Sequence, residues 1–490
     1  MKNKAIRVGI YVLIAYLILG LLFHFIAGDS LRATADTTSP VSPKAVLGEF
    51  VEKDTIKQPF VCEYDSLTSI GVLIGTNARK NSDTIHLSIW DNPNREGEPL
   101  YQSSVNAESM KDNTTYVWEL GDKAIQNAAG KTFYLELESE NGRKGNSISL
   151  YYGNTINAGR FSVAVDVFPL EVNGEPRLDD DDNPCSLCLT LGGIDYHWVG
   201  TYYWYLYGGG ALLLALYILY VLHCKKHEKK CVALSLINSM LKYRFLMKQL
   251  VARDFKTKYK RSVLGVLWSF LNPLLTMSIQ FVIFSTLFKS DIDNFVVYLL
   301  TGIICFNFFS EAANMCLMSI IGNATLINKV YVPKYIYPLS RSLSSGINLL
   351  LSLIPLLLML LITKTPITPA ILLLPFALIM LFLFSYGVGL ILATMMVFFR
   401  DTQFLWNIFS MLLMYLTPIF YPETIIPTQF LWLYRLNPMY QIITFVRTIL
   451  IEGISPGPAA YLGCILVAVI PLLIGLLIFK KNEDKFVLNI

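Results

Sequence analysis

His223, Cys224, His227 and Cys231 come nearest in this chain to a set of metal ligands. Their spacing matches no standard zinc pattern, and the run HCKKHEKK that carries the first three and leads into Cys231 is strongly basic. A solvated basic loop explains them better. Gly130-Lys131-Thr132 ends like a phosphate-binding loop, but Ile125 stands where the earlier glycine is required, and the surroundings lack a strand-loop-helix pattern. It reads as a turn. Asp179–Asp182 offers oxygen ligands of the kind calcium takes, though an acidic turn accounts for the run more simply. Cys185 and Cys188 are spaced to pair if they meet an oxidising compartment. His24, His86 and His197 are scattered, and the later apolar runs have few acids near them, Asp254, Glu311 and Asp401 among them. No constellation for nucleophilic, acid–base or metal catalysis emerges.

The chemistry the chain does offer is cationic. Arg253, Lys256, Lys258, Lys260 and Arg261 lie in a short amphipathic stretch. Leu246, Met247, Leu250, Val251 and Phe255 recur at helical spacing on one face, with Lys248, Arg253, Lys256 and Lys260 mostly opposite. Lys258 and Arg261 interrupt the stripe. From Val263 charge disappears, and an apolar run continues to Phe288. A basic helix leading into a spanning helix reads as a segment in the inner membrane interface. The plainer alternative is a positive stop before a transmembrane helix. Asp254 follows Arg253 and is expected to form local ion pairs.

The elements around this stretch belong to a membrane protein. Of 490 residues, 54% are hydrophobic and only 16% charged, where soluble domains are nearer a quarter charged. The net charge of +4 hides an asymmetry. Residues 28–200 hold 26 of the 36 acids and 14 of the 40 bases, so they carry −12 and the rest of the chain +16. Membrane sidedness explains that split. The lysines flank apolar runs and form no aromatic-interleaved patch, which excludes nucleic acid as a partner.

Eight spans are expected, with both termini cytoplasmic: 8–27, 202–222, and six core spans at about 264–288, 295–321, 342–362, 370–398, 404–418 and 459–479. The first follows Lys2, Lys4 and Arg7; a cleaved signal peptide ending near Ala33-Thr34-Ala35 is its rival. Lys329, Lys334, Arg341, Arg400, Lys480, Lys481 and Lys485 mark the inner side, and the outer loops carry little beyond Lys289 and Lys364. Residues 418–452 are apolar but broken by Pro418, Pro422, Pro427 and Pro438. Irregular backbone at membrane depth needs protein or a water-filled cavity to satisfy it, so this segment reads as a re-entrant hairpin on the outer side.

Residues 28–200 differ in kind. Ile85, Leu87 and Ile89 alternate with His86 and Ser88; Phe133, Leu135 and Leu137 with Tyr134, Glu136 and Glu138; Ile148, Leu150 and Tyr152 with Ser147, Ser149 and Tyr151. Turn clusters such as DNPNREGE and ENGRKG separate these runs. Such period-2 strands predict an antiparallel β-sandwich outside the membrane. It resembles, loosely, the jelly-roll carbohydrate-binding modules, and a plain spacer fits the pattern as well. The domain plan is therefore a helix at 1–27, the β-sandwich at 28–200, a helix at 201–222, a basic linker and interface helix at 223–262, and a six-helix core at 263–490.

From about residue 240 onward the chain resembles the permease subunits of polysaccharide-export ABC transporters. RDFKTKYKRSVLGVLWSFLNPLL (253–275) is similar to that family's interface helix and first core span, and LINKVYVPKYIYPLS (326–340) to its cytoplasmic coupling helix. FFRDTQ (398–403) looks like its inner turn, and PIFYP with LNPMYQII (418–422, 436–443) like its outer re-entrant region. The resemblance implies export of a lipid-linked glycan through a homodimer in the bacterial cytoplasmic membrane, with ATP and Mg²⁺ bound by a separate cytoplasmic subunit. It implies that Lys329, Tyr331, Pro333, Lys334 and Tyr337 couple to that ATPase. Arg253, Lys256, Lys258, Lys260 and Arg261 would sit at a portal for lipid pyrophosphate, where lipid anchoring is the rival role. Trp268, Phe306, Phe309, Trp406, Tyr415, Pro418, Phe420, Tyr421, Asn437 and Pro438 would form the channel or gate, although packing is the commoner role of such aromatics. A drug or small-lipid exporter permease is the alternative within transport. A glycan-binding membrane sensor and a membrane glycosyltransferase are alternatives of other classes.

Overall fold

The computed structural model describes residues 2–38, 43–153, 161–162, 170–178, 185–227, 232–260, 263–288, 294–329, 332–422 and 431–489. The chain forms two compact units, Arg32–Trp198 and a second made of Met1–Leu31 with Val199–Ile490.

The first unit is a sandwich of two antiparallel sheets. Its main strands are β1 (Thr55–Cys62), β2 (Ser66–Gly75), β3 (Thr84–Trp90), β4 (Tyr101–Asn106), β5 (Thr114–Glu119), β6 (Lys131–Ser139), β7 (Ser149–Gly153) and β8 (Leu189–Tyr196). One sheet runs β4-β3-β6-β1, and the other is built around β2, which pairs with β5, β7 and β8. The expected inward residues Ile85, Leu87, Ile89, Phe133, Leu135, Leu137, Ile148 and Leu150 are buried between the sheets, and the alternation is clean over 85–89; Glu136, Ser147 and Ser149, expected to face the other way, are buried as well. Gly130, with φ of +72°, ends the expected turn, and Lys131 and Thr132 already belong to β6, so the Gly130-Lys131-Thr132 echo leads into a strand. Cys185 and Cys188 are both buried in the sandwich, and desolvation pushes the Cys188 thiol up to about 12. Asp179–Asp182 lies outside the described residues.

In the second unit, α1 (Lys2–Arg32) and α2 (Tyr203–Lys226) are pinned by tyrosines. Tyr207 Oη donates to Leu17 O at 2.6 Å and Tyr203 Oη to Gly20 O at 2.6 Å, while Tyr16 stacks on Tyr207. The helices that follow are α3 (Val232–Tyr259), α4 (Leu267–Phe288), α5 (Phe295–Leu317), α6 (Ala324–Lys329), α7 (Ile336–Ile362), α8 (Leu374–Phe398), α9 (Thr402–Leu416), α10 (Leu431–Arg435), α11 (Pro438–Arg447) and α12 (Pro458–Asn482). Helix α5 is central, packing against α4, α7, α8 and α11. Helices α8 and α12 approach through glycine: a Cβ on Gly475 would lie 2.4 Å from Gly387 O.

Among the described residues, seven helices are long and apolar enough to cross a bilayer, one fewer than expected. The exception is α9, with 15 residues, which spans roughly 22 Å at 1.5 Å per residue, against a hydrocarbon core of about 30 Å. The interface helix and first core span are separate helices: α3 stops at Tyr259 and α4 starts at Leu267, with Gly265 at φ +51° between them. One further correction concerns a helix boundary: 326–340 is not one proline-containing helix. Pro333 lacks an N–H and disfavours helical backbone at the residue before it, so α6 stops at Lys329 and α7 starts at Ile336.

Candidate functional site

Helix α3 carries its acid on the buried side. Tyr243, Leu246, Met247 and Leu250 pack against the unit around Ile320, Ile336 and Tyr337, and the same stripe continues one turn on to Asp254. The Asp254 side chain is only 4% exposed. Its Oδ1 accepts from Arg341 Nη1 of α7 at 2.8 Å and from Arg253 Nη2 at 3.3 Å. Arg253 Nη2 also donates to Asn323 Oδ1 at 3.2 Å, just before α6. The local ion pairs expected of Asp254 are present, and they reach further than its own helix.

A second bridge lies one turn on. Lys258 Nζ meets Glu311 Oε1 of α5 at 2.7 Å, and Asn348 Nδ2 of α7 donates to the same oxygen at 2.8 Å. Tyr259 Oη donates to Asn348 Oδ1 at 3.1 Å and bonds Ser269 Oγ of α4. The last two turns of α3 are thus bolted to α4, α5 and α7. Arg253, Lys258, Arg341, Asp254 and Glu311 line a cavity of about 390 Å³. Asp254 Oδ2 is buried with no partner among the described residues. The space beside it has room for on the order of ten waters.

The five portal residues therefore divide. Arg253 and Lys258 are tied to carboxylates, Arg261 lies outside the described residues, and Lys256 and Lys260 are exposed and line a broad groove of about 720 Å³ along α3. Met247, Val251, Ala252 and Phe255 form an apolar groove with Leu343 and Ile347 of α7, about 450 Å³ in volume. A cationic rim beside an apolar slot suits an anionic head on an acyl or prenyl chain. Lys258→Ala is expected to lower thermal stability by about 0.5–1 kcal/mol, since the pair is half-exposed. Lys260→Ala should leave the melt unchanged. Equal melting of the two variants in detergent would show that the Lys258–Glu311 bridge contributes nothing.

The coupling residues are placed unequally. Lys329 is exposed at the end of α6, and Pro333 is half-buried in the break after it. Lys334 Nζ donates to Glu483 O and sits 6.0 Å over the Phe486 ring, so it is tied to the C-terminal segment. Tyr337 is 0% exposed and its hydroxyl is unpartnered among the described residues, which makes it packing rather than a docking contact here. Tyr331 lies outside the described residues.

The channel and gate residues fall into two groups. Phe306, Phe309 and Trp406 are buried against one another and Phe384, with Phe309 stacked on Phe384 at 5.0 Å. Trp268 and Tyr415 are exposed. Pro418, Phe420, Tyr421, Asn437 and Pro438 belong to a network around a residue that sequence inspection passed over, Arg447. It is 7% exposed and donates from Nη1 to Pro418 O at 2.8 Å, and from Nη2 to Tyr298 O at 3.1 Å and Ile419 O at 3.2 Å. Its guanidinium carbon lies 3.3 Å from the Tyr298 ring centroid. Tyr298 Oη donates to Pro418 O at 3.2 Å and Tyr421 O at 2.9 Å. Asn437 caps α11, accepting from Met439 N at 3.0 Å with Pro438 at the first helical position, and donates to Thr417 Oγ1 at 2.9 Å. Phe420 stacks on Phe284 at 5.4 Å. The irregular backbone after α9 is held by side chains, as its depth in the fold demands. Residues 423–430 of the expected hairpin lie outside the described residues. One signal pointed to Arg447: a single charge inside an apolar run is a site hypothesis by default.

Residues 246–451 match the family described as ABC-2 type transporter. The chain is 33% identical over 237 residues to the O-antigen export system permease protein RfbA of Klebsiella pneumoniae, an alignment that covers 48% of this chain and 90% of that protein. It is 29% identical over 255 residues to RfbA of Myxococcus xanthus, covering 51% and 97% of the two chains. It is also 29% identical over 245 residues to the polysialic acid transport protein KpsM of Escherichia coli, covering 48% and 92%.

Proposed function

The chain belongs to the ABC-2 type transporters, among the permease subunits that export polysaccharide, and from that premise we propose how its parts act. It is a multi-pass membrane protein and a transport subunit. The substrate would be a lipid-linked glycan, and ATP would be hydrolysed by a separate cytoplasmic subunit bound through the exposed end of α6. Two copies of the chain would enclose the path, because six core helices alone hardly surround a sugar-wide channel.

One observation carries this reading: the Asp254–Arg341 and Lys258–Glu311 bridges join the interface helix to α5 and α7, the two helices that flank the α6 segment. A push on α6 reaches Asn323, then Arg253 and Asp254, and so moves α3 with the core rather than independently. Lys256 and Lys260, free of those bridges, would meet the pyrophosphate of the incoming lipid at the groove along α3. The backbone held by Arg447 would form the outer gate, and the β-sandwich would stand outside and receive the emerging polymer.

Replacing Asn328 and Lys329 together with alanine tests the coupling step. Polysaccharide export should fall roughly tenfold, within the range of a coupling free energy of 1–3 kcal/mol, while membrane insertion and ATP hydrolysis by the partner persist. Unchanged export in that variant would remove α6 from the mechanism.

A further inference from the structure

Among the described residues, the β-sandwich has a sheet face that its own core does not use. In the sheet β4-β3-β6-β1, alternate residues point away from the buried side, and the strand register aligns them in rows. Pro59, Tyr134 and Trp90 form one row across β1, β6 and β3. Lys57, Glu136, Ser88 and Gln102 form the next, and Glu138, His86 and Ser104 continue into a third. Tyr134 and Trp90 are directly opposed partners and half-buried.

The charges on this face are compensated locally. Arg95, from the turn after β3, places Nη1 2.5 Å from Glu136 Oε1, and that carboxylate is only 10% exposed. His86 bonds Ser104 Oγ at 2.7 Å and faces Glu140 at 3.3 Å. Lys57 is the register partner of Glu136. An aromatic row beside fixed planar groups (carboxylate, guanidinium, amide and imidazole) is complementary to a pyranose. Such a sugar has an apolar C–H face for the rings and a rim of hydroxyls for the paired polar groups. Residues 28–200 carry −12, a field that repels a polyanion.

We propose that this sheet face is a binding site for an uncharged hexose or deoxyhexose chain, with Trp90 and Tyr134 as its platform and Glu136, Glu138, His86 and Gln102 as its hydroxyl partners. The proposal rests on the reading of the chain as a polysaccharide exporter and names the class of glycan its β unit takes. It excludes acidic glycans.

The test uses the full chain in lipid nanodiscs, titrated with oligorhamnose, oligomannose and oligogalactose and, separately, with oligosialic acid of equal length. Binding is read by saturation-transfer NMR and calorimetry. At least one neutral oligosaccharide should bind and oligosialic acid should not. Trp90→Ala and Tyr134→Ala should each weaken binding by about tenfold, the weight of one lost ring contact. Trp90→Tyr should keep most of the affinity, and Glu138→Gln provides a second probe that leaves the aromatic packing intact. No binding to any neutral probe, tighter binding of oligosialic acid, or affinity indifferent to all four substitutions would overturn the proposal. Export of lipid-linked glycan is measured in parallel. Lost binding with surviving export leaves the transporter reading intact, whereas wild-type protein that binds but never transports sinks that reading alone.

Discussion

Arg447→Ala is expected to destabilise the membrane unit by about 3–5 kcal/mol, the cost of leaving several buried polar groups unpartnered. The reason lies in the backbone after α9. Thr417–Tyr421 has no helix or strand to satisfy its carbonyls, and at that depth water does not substitute. Pro418 O and Ile419 O both take a proton donor from Arg447, and Pro418 O and Tyr421 O take one from Tyr298. Alanine removes the Arg447 donors at a stroke and vacates the space over the Tyr298 ring. Arg447→Lys keeps the charge but has one point of attachment where the guanidinium forks to three oxygens, so it should recover less than half of the loss. Thermal unfolding in detergent, with export assayed on the same variants, reads both effects. Wild-type melting in Arg447→Ala would mean that the segment is held by something else.

The second large effect is at Asp254. Asp254→Leu should cost about 3–5 kcal/mol, at the lower end of that range because Arg341 retains 21% exposure and some hydration. Arg341→Met should cost less, since Arg253 still faces the carboxylate. The double variant, with both charges replaced by apolar groups of similar length, should regain most of the stability, because a buried ion pair repays little more than its own desolvation. Stability and function then part company. If the pair transmits movement between α3 and α7, the double variant folds but exports poorly; normal export in a well-folded double variant confines the pair to scaffolding. A double-mutant cycle on melting gives the coupling between the two residues directly.

Much of this architecture is legible in the residues, for reasons that differ by region. In the sandwich, one face is wet and one is dry, so alternation at Ile85–Ile89 and Phe133–Leu137 announces both strand and side. In the core, length and apolarity announce the spans. What they do not announce is where a span ends against a partner: α9 stops at Leu416 because Asn437, Arg447 and Tyr298 capture the next residues, and those partners are 20 or more positions away. Asp254 shows the opposite difficulty. Its position on the apolar stripe of α3 is plain from spacing, yet charge argues for the wet face, and only Arg341, 87 residues on, resolves the conflict. Tyr337 sits in a segment that resembles a docking helix, but a phenol next to a helix break is equally able to turn inward, and here it does. Local pattern carries periodicity well and carries long-range pairing hardly at all.

The shortness of α9 has a bearing on the surrounding lipid. Its apolar flank (Phe404, Leu405, Ile408, Phe409, Met411, Leu412 and Tyr415) is exposed, so the helix offers acyl chains a wall only about two-thirds as tall as its neighbours do. Beyond Leu416 that wall gives way to the carbonyl-rich turn. Hydrophobic mismatch is thereby concentrated at one place on the perimeter, directly over the backbone that Arg447 holds. Lengthening the acyl chains would load that spot first, and bilayer thickness would act as a force on the backbone proposed as the outer gate.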